Sequence, residues 1–122
     1  MVKALLDTNI LIDYLNAVPQ ARAEIKKYDR CSISVVSWME VLVGAPRDVE
    51  NATRAFLDGF AMIALDDRVA ERAVSLRRRH GVKLPDAIIW ASADVNSLLL
   101  VTRNTKDIGD DLPGVRVPYR LV

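Results

Sequence analysis

The sequence predicts an α/β domain with a mainly parallel sheet and helices on both faces. Short apolar runs rich in Val, Ile and Leu alternate along the chain with longer stretches of helical periodicity. Strands separated in this way favour parallel pairing, because each return to the sheet needs a helical crossover. The length of 122 residues suits one domain over residues 1–122 and leaves no room for a second core.

Five short apolar runs are predicted to form the strands. Apart from Lys3 the first is apolar, as expected of a strand that is buried on both faces. The last lies between Pro113-Gly114 and Pro118, which are residues typical of turns. In chain order the predicted strands cover residues 2–6, 31–34, 60–65, 98–102 and 115–117.

Residues that begin or end helices lie between these runs. Thr8 and Asp66 are N-capping types, Pro19 and Pro85 suit the first turn of a helix, and Gly81 suits a helix end. The segment that follows Asp66 is amphipathic. In chain order the predicted helices cover residues 9–15, 19–28, 36–43, 48–57, 66–81 and 86–94.

The composition excludes several classes of protein. With 51% hydrophobic and 27% charged residues the chain is not disordered, and a net charge of +1 gives no overall attraction to nucleic acid or membrane. No apolar run approaches the roughly 18 residues of a membrane span, so we expect a cytoplasmic protein without membrane contact. A single Cys31 and a single His80 leave almost nothing for a zinc site, so oxygen ligands are expected for any metal.

Four acidic residues lie where α/β sheets place ligand sites, beyond the carboxyl ends of strands or on first turns nearby. Asp7 ends the first strand, Glu40 lies on the helix after the second, Asp86 opens a helix and Asp107 follows the fourth strand. Each also has a structural explanation. Asp7 can cap the first helix, and Glu40 can complete a capping box with Ser37. Asp86 suits a helix N-terminus, and Asp107 suits a turn.

The neighbours of these acids form four short motifs. They are, in chain order, Leu5-Leu6-Asp7-Thr8-Asn9, Ser37-Trp38-Met39-Glu40-Val41-Leu42-Val43-Gly44, Leu84-Pro85-Asp86-Ala87-Ile88-Ile89-Trp90-Ala91 and Val101-Thr102-Arg103-Asn104-Thr105-Lys106-Asp107. In order and spacing they resemble the four motifs of PIN-domain ribonucleases, and among these the VapC-type toxins of toxin-antitoxin pairs. The resemblance covers essentially the whole chain.

The resemblance implies a PIN-like three-layer sandwich with the strand order 3-2-1-4-5. It also implies a catalytic set that holds a divalent ion, namely Asp7, Glu40, Asp86 and Asp107. The side chains implied to support this set are Thr8, Asn9, Thr102 and Asn104. Two features depart from the family pattern. Ile108 stands where an aromatic residue is frequent, and Asp110 and Asp111 are alternatives to Asp107 as the fourth acid.

The chemistry of four carboxylates favours a hard cation such as Mg²⁺ or Mn²⁺. Four ionised carboxylates about 6 Å apart would repel by roughly 3 kcal/mol per pair at an effective dielectric constant near 20. A bound ion would offset this repulsion, generate hydroxide from water and neutralise a scissile phosphate. We therefore expect metal-dependent endonucleolytic hydrolysis of RNA, with one ion or two.

Basic residues near such a negative site are expected to contact RNA. Arg103 and Lys106 lie within the fourth motif. Residues 68–83 carry six basic side chains against one acid, and the consecutive Arg77, Arg78 and Arg79 are the candidates there. The alternative for this helix is a solvated face with cations near its carboxyl end.

An apolar surplus over residues 35–43 predicts a partner surface. The resemblance implies a homodimer and a cognate VapB-type antitoxin.

Two other functions stay open at this point. A phosphotransferase could use Asp7 as nucleophile, but the haloacid-dehalogenase pattern needs an acid where Asn9 stands, and a receiver domain needs an acidic pair that is missing. A non-catalytic RNA- or protein-binding PIN-like module is the second, and the presence of all four motifs argues against it. Within the nuclease interpretation, RNA processing is the alternative to a toxin.

Overall fold

The computed structural model describes residues 2–109 and 112–121. The strands are β1 (Ala4–Leu6), β2 (Ser32–Ser34), β3 (Ala61–Ile63), β4 (Leu99–Val101) and β5 (Val115–Arg116). The helices are α1 (Thr8–Leu15), α2 (Pro19–Ile25), α3 (Val35–Gly44), α4 (Glu50–Asp58), α5 (Asp67–His80) and α6 (Leu84–Val95), and a 3-10 turn (Arg47–Val49) precedes α4. Each predicted strand and helix is present, with its ends shifted by a few residues.

The five strands form one parallel sheet in the order β3-β2-β1-β4-β5, as the resemblance implied. β1 pairs with β4 through Leu6 and Val101, and with β2 through Leu5 and Ser32. Because all pairs are parallel, the carboxyl ends of the strands lie at one edge of the sheet. The residues that follow β1, β2 and β4 therefore meet at this edge.

Two hydrophobic cores lie on opposite faces of the sheet, which confirms helices on both faces. β1 is fully buried, and its side chains alternate between the faces. Leu5 packs in a cluster with residues of α5 and α6, such as Leu76 and Ile89. Leu6 packs in the other cluster with residues of α1 and α4, such as Leu11 and Leu57.

Asp7, one of the two capping residues predicted for the first helix, caps α1, which begins at Thr8. Its side chain accepts a hydrogen bond from the Thr8 N–H at 2.7 Å. α3 begins at Val35, because the Ser34 hydroxyl accepts from the Val36 N–H at 3.1 Å. The predicted capping box between Ser37 and Glu40 is therefore wrong, since both residues lie inside the helix.

Other helix ends follow the sequence more closely. Asp66 caps α5 by accepting from the Val69 N–H at 2.9 Å, and Gly81 ends it at φ +70°, in the left-handed region that favours glycine. α2 is shorter than predicted, because the chain turns over residues 26–30 to enter β2. Within the described part of the chain, no helix has the length and apolar character needed to cross a membrane.

Candidate acidic active site

Asp7 lies at the carboxyl end of β1 and is 3% exposed. Its Oδ1 accepts from the Thr8 N–H at 2.7 Å. Its Oδ2 accepts from the Thr102 hydroxyl at 2.7 Å and from Asn9 Nδ2 at 3.3 Å. These three donors hold the carboxylate in one orientation. They belong to Thr8, Asn9 and Thr102, which are three of the residues predicted to support the site.

Thr8 connects the first motif to Glu40. Its hydroxyl oxygen lies 2.8 Å from Glu40 Oε1 and 2.8 Å from the Ser37 hydroxyl. A threonine hydroxyl carries one proton, and an ionised carboxylate can only accept. The Thr8 proton therefore goes to Glu40, and the contact with Ser37 is made by the proton of Ser37.

Ser37 is a site residue that the sequence analysis assigned to a different role. It is fully buried and lies one helical turn before the exposed Glu40 on α3. The signal for its role was the spacing of three residues, which places Ser37 and Glu40 on one face of a helix. Because α3 begins at Val35, that spacing serves the orientation of Glu40 through Thr8 and not a helix cap.

The fourth motif forms a loop after β4 over residues 102–107, here called the β4 loop. The Asn104 N–H donates to the Thr102 hydroxyl at 3.0 Å. Asn104 Nδ2 donates to Asp107 Oδ2 at 3.2 Å, and the Asp107 N–H donates to Asn104 Oδ1 at 3.3 Å. Since Thr102 also donates to Asp7, hydrogen bonds connect Asp7 to Asp107 through Thr102 and Asn104.

The four predicted acids lie close enough to influence one another, and we call them the acidic group (Asp7, Glu40, Asp86 and Asp107). Burial raises the pKa of Asp7 to about 6 against the hydrogen bonds that lower it, and the charges of Asp86 and Glu40 add to the rise. Burial also raises the pKa of Asp86, and the charges of Asp107 and Glu40 raise it further. The structure thus brings all four acids into one region of negative charge, which Lys83 offsets only in part at Asp86.

Known proteins of similar sequence and structure point to the same family. The PIN domain family model matches residues 4–108. The chain belongs to the PIN domain family. Ribonuclease VapC10 of Mycobacterium tuberculosis is 32% identical to it over 108 residues, which cover 82% of this chain and 81% of that protein.

Two solved structures place this PIN domain beside toxin-antitoxin proteins. A chain of a toxin-antitoxin complex from Klebsiella pneumoniae superposes with a TM-score of 0.92 at 44% identity, over 97% of this chain and 99% of that one. A chain of VapBC-5 from Mycobacterium tuberculosis superposes with a TM-score of 0.69 at 25% identity, over 96% and 100% of the two chains. These matches confirm the resemblance and the fold that the four motifs predicted.

The donors of the acidic group suit a hard divalent cation by their chemistry. All four are carboxylates, and the raised pKa of Asp7 reflects a site in which positive charge is favourable. Among residues 2–109 and 112–121, however, no three His, Cys, Asp or Glu side chains form a group that could hold a metal ion as they stand. The predicted alternatives to Asp107, Asp110 and Asp111, lie outside the described residues.

The predicted RNA-binding residues of this PIN domain fall into two sets. Arg103 and Arg77 are already engaged within the protein, since Arg103 pairs with Asp13 and Arg77 donates to the Val82 carbonyl. The side chains of Lys106, Arg78 and Arg79 are exposed, and Arg77 is exposed as well despite its hydrogen bond. Contact with RNA stays a prediction for all five.

An apolar groove of about 440 Å³ lies beside the acidic group of the PIN domain. It is lined by Glu40 together with Ile12, Leu15, Val41 and Val49. On the same helix α3, Val43 is 88% exposed and Met39 is 46% exposed. This apolar surface agrees in position with the partner surface that the sequence predicts over residues 35–43.

Proposed function

We propose that this PIN domain is a metal-dependent endoribonuclease and the toxin of a VapBC-type toxin-antitoxin pair. The observation that carries the proposal is the acidic group, in which a buried carboxylate faces other carboxylates and no arginine. Burial and like charge raise the pKa of Asp7 to about 6, an arrangement that costs stability and is typical of functional sites. The similarity to Ribonuclease VapC10 and to a toxin-antitoxin complex supports the same assignment.

In this proposal Asp7, Glu40, Asp86 and Asp107 hold Mg²⁺ or Mn²⁺. The bound ion supplies activation of water and neutralisation of the scissile phosphate. The hydrogen bonds from Thr102 and Asn9 fix the orientation of Asp7.

Two further side chains orient two of the other acids, Glu40 and Asp107. Thr8 orients Glu40 by donating to it at 2.8 Å, and Asn104 orients Asp107 by donating to it at 3.2 Å. Supporting groups of this kind set the geometry of metal ligands and are worth about 10- to 100-fold in affinity or activity.

We further propose the macromolecular contacts of this site. The exposed Lys106, Arg78 and Arg79 contact RNA phosphates beside it. A VapB-type antitoxin covers the apolar groove and closes access to Glu40, which lines it. The protein acts in the cytoplasm as one domain, and as a homodimer.

The test is RNA cleavage by purified protein freed of any partner, with Mg²⁺, Mn²⁺ or EDTA, on a panel of structured and single-stranded RNAs. We expect cleavage only with an ion, and a loss of at least about 100-fold in Asp7→Asn, because a ligand is worth more than the groups that support it. Asp29→Asn is the matched control, since Asp29 is exposed and lies near Lys3. These two residues precede β2 and β1, at the sheet edge opposite the acidic group. Cleavage by Asp7→Asn at the wild-type rate would overturn the proposal.

One observation favours a second candidate, a non-catalytic RNA- or protein-binding module. As they stand, the described side chains include no set of three acids ready to hold an ion. Thermal stability with and without Mn²⁺ separates the two functions. A nuclease is stabilised by Mn²⁺ through Asp7, so the stabilisation disappears in Asp7→Asn. A folded, partner-free protein that binds RNA, does not cut it and gains no stability from Mn²⁺ is the binding module.

A further inference from the structure

A buried carboxylate outside the acidic group, that of Asp13, binds the β4 loop to α1. Asp13 is 4% exposed. Its Oδ2 accepts from Arg103 Nε at 2.5 Å and from the Tyr119 hydroxyl at 2.8 Å, and its Oδ1 accepts from Arg103 Nη2 at 2.8 Å. Burial alone would raise the pKa of Asp13, but these hydrogen bonds lower it below its usual value. Asp13 is therefore an ionised, fully paired group.

Arg103 is fixed to α1 by its backbone as well as by its side chain. Its N–H donates to Asn9 Oδ1 at 3.3 Å, and Asn9 also donates to Asp7. Residue 103 lies between Thr102, which donates to Asp7, and Asn104, which holds Asp107. The two contacts of Arg103 with α1 therefore set where the β4 loop lies.

The geometry of the Arg103 pair is suited to holding position. The planar guanidinium makes two bonds to one carboxylate, which fixes its orientation as well as its distance. The Tyr119 hydroxyl donates to the same carboxylate and so connects the C-terminal segment to Asp13. An arginine reserved for RNA phosphate would gain nothing from a buried partner that neutralises its charge.

We propose that Asp13 and Arg103 are positioning residues that hold the β4 loop, and with it Asp107, in place for the ion. Arg103 then acts through Asp13 and not as an RNA contact. The inference rests on the proposed function, because the ion is the ligand for which the loop is positioned.

The two roles of Arg103 predict opposite effects of Asp13→Asn on RNA affinity. If Arg103 binds RNA, release from Asp13 strengthens RNA binding in EDTA, and Arg103→Met weakens it. If the pair positions the loop, both variants leave RNA affinity in EDTA within about twofold and lower the Mn²⁺ affinity by the same factor, about tenfold, as supporting groups do. The double variant is then no worse than either single one, because both remove the same interaction.

A matched control separates positioning from general loss of stability. Glu24 pairs with Arg116 through two hydrogen bonds as Asp13 pairs with Arg103, and it is 2% exposed. Glu24→Gln should lower the melting temperature without lowering Mn²⁺ affinity. Tyr119→Phe removes one bond from Asp13 and leaves its charge paired, so it tests the same position in a variant that folds. We expect it to lower Mn²⁺ affinity by about two- to threefold, a fraction of what supporting groups are worth.

The measurements are titration of Mn²⁺ by calorimetry and amide hydrogen exchange over residues 102–107. We expect faster exchange in the β4 loop for Asp13→Asn and Arg103→Met and unchanged exchange there for Glu24→Gln. Wild-type Mn²⁺ affinity in both Asp13→Asn and Arg103→Met would overturn the inference. If the wild-type protein itself binds no Mn²⁺, the proposed function fails, and unchanged loop exchange in Asp13→Asn then overturns the positioning role separately.

Discussion

Three carboxylates in this PIN domain are buried to nearly the same extent, but the pKa of one is raised and the pKa values of the other two are lowered. Asp7, Asp13 and Glu24 are 3%, 4% and 2% exposed. Burial raises the pKa of Asp7 to about 6, where other carboxylates face it. For Glu24, hydrogen bonds from Arg116, Tyr28 and Lys27 outweigh burial and lower its pKa to about 2. Burial alone therefore does not decide the charge state, and the partner of each acid does.

The paired carboxylates stabilise the fold, whereas the acidic group costs stability. Glu24 joins α2 to the edge strand β5, since Arg116 donates to it through Nε at 2.8 Å and Nη2 at 3.0 Å. Asp13 joins α1 to the β4 loop in the same way. Asp7 receives only neutral donors, so its charge is left for a ligand to compensate. Among the described residues no arginine bonds to Asp7, and this contrast is the reason that we propose a function for Asp7 and a structural role for Glu24.

The largest expected effect comes from breaking a paired carboxylate. Arg116→Met leaves the buried Glu24 carboxylate with only Lys27 and Tyr28 as partners. We expect the free energy of unfolding to fall by about 3 kcal/mol, the low end for a broken buried pair, because Lys27 remains and Arg116 is itself partly exposed. Arg54→Met is the control, because the Arg54–Glu50 pair is exposed on both sides and worth at most about 1 kcal/mol. Urea denaturation of both variants measures the difference. Equal losses would mean that Arg116 contributes no more than a surface pair.

The next effect is a pH dependence of opposite sign for Asp7 and Glu24. The pKa of Asp7 is about 6 when folded and 3.8 as a free side chain, so the folded state holds more protons between these values. The metal-free protein should therefore lose about 3 kcal/mol of stability from Asp7 between a pH well below 4 and a pH well above 6, and about 2 kcal/mol of this between pH 4 and 6. Glu24 acts the other way in a lower window, since its pKa is about 2 against 4.5, and its contribution is lost as the pH falls through that window.

Asp7→Asn sharpens this pH comparison. In EDTA, Asp7 should make the wild-type protein about 2 kcal/mol less stable at pH 7 than at pH 4.5, and this contribution should disappear in Asp7→Asn. Urea midpoints at the two pH values measure it, and Glu24→Gln is the control, because Glu24 titrates below pH 4.5. An unchanged difference in Asp7→Asn would show that Asp7 titrates normally.

The comparison also shows what residue order could predict. The strand order was implied by the resemblance of the four motifs to the PIN family. The acidic group was suggested by acids that follow a strand, open a helix or lie on a helix near one sheet edge, and by the order of the motifs. The two arginine pairs could not be predicted, since Asp13 and Arg103 are 90 positions apart and Glu24 and Arg116 are 92 apart. Only the placement of β4 beside β1, and of β5 beside β4, brings such partners together.

The sequence also did not show which of two similar residues takes a given role. Ser34 and Ser37 are both capping types, and which of them caps α3 depends on where β2 ends. Arg103 carries the charge expected of an RNA contact, and its buried partner is visible only in the folded chain. Residue type and position therefore predicted which acids lie near one another more reliably than they predicted the partner of each side chain.

The smallest expected effect comes from Thr8, which is neutral and connects the acidic group to α3. Thr8→Val keeps the shape of the side chain but removes the hydroxyl that lies between Ser37 and Glu40. We expect a loss of about 1 kcal/mol in unfolding free energy, because the fully buried Ser37 hydroxyl loses its partner. Glu40 loses its orientation at the same time, so Mn²⁺ affinity should fall by up to about tenfold.

Thr8→Ser is the matched variant for this prediction, because it restores the hydroxyl without the methyl group. It should recover Mn²⁺ affinity, measured by calorimetry, even if unfolding in urea shows that stability is not fully regained. If Thr8→Val and Thr8→Ser bind Mn²⁺ equally well, the hydrogen bond to Glu40 carries no weight in ion binding. The neutral donor to Glu40 would then contribute nothing to ion binding. The contrast between Asp7 and Glu24 would depend on their charged neighbours alone.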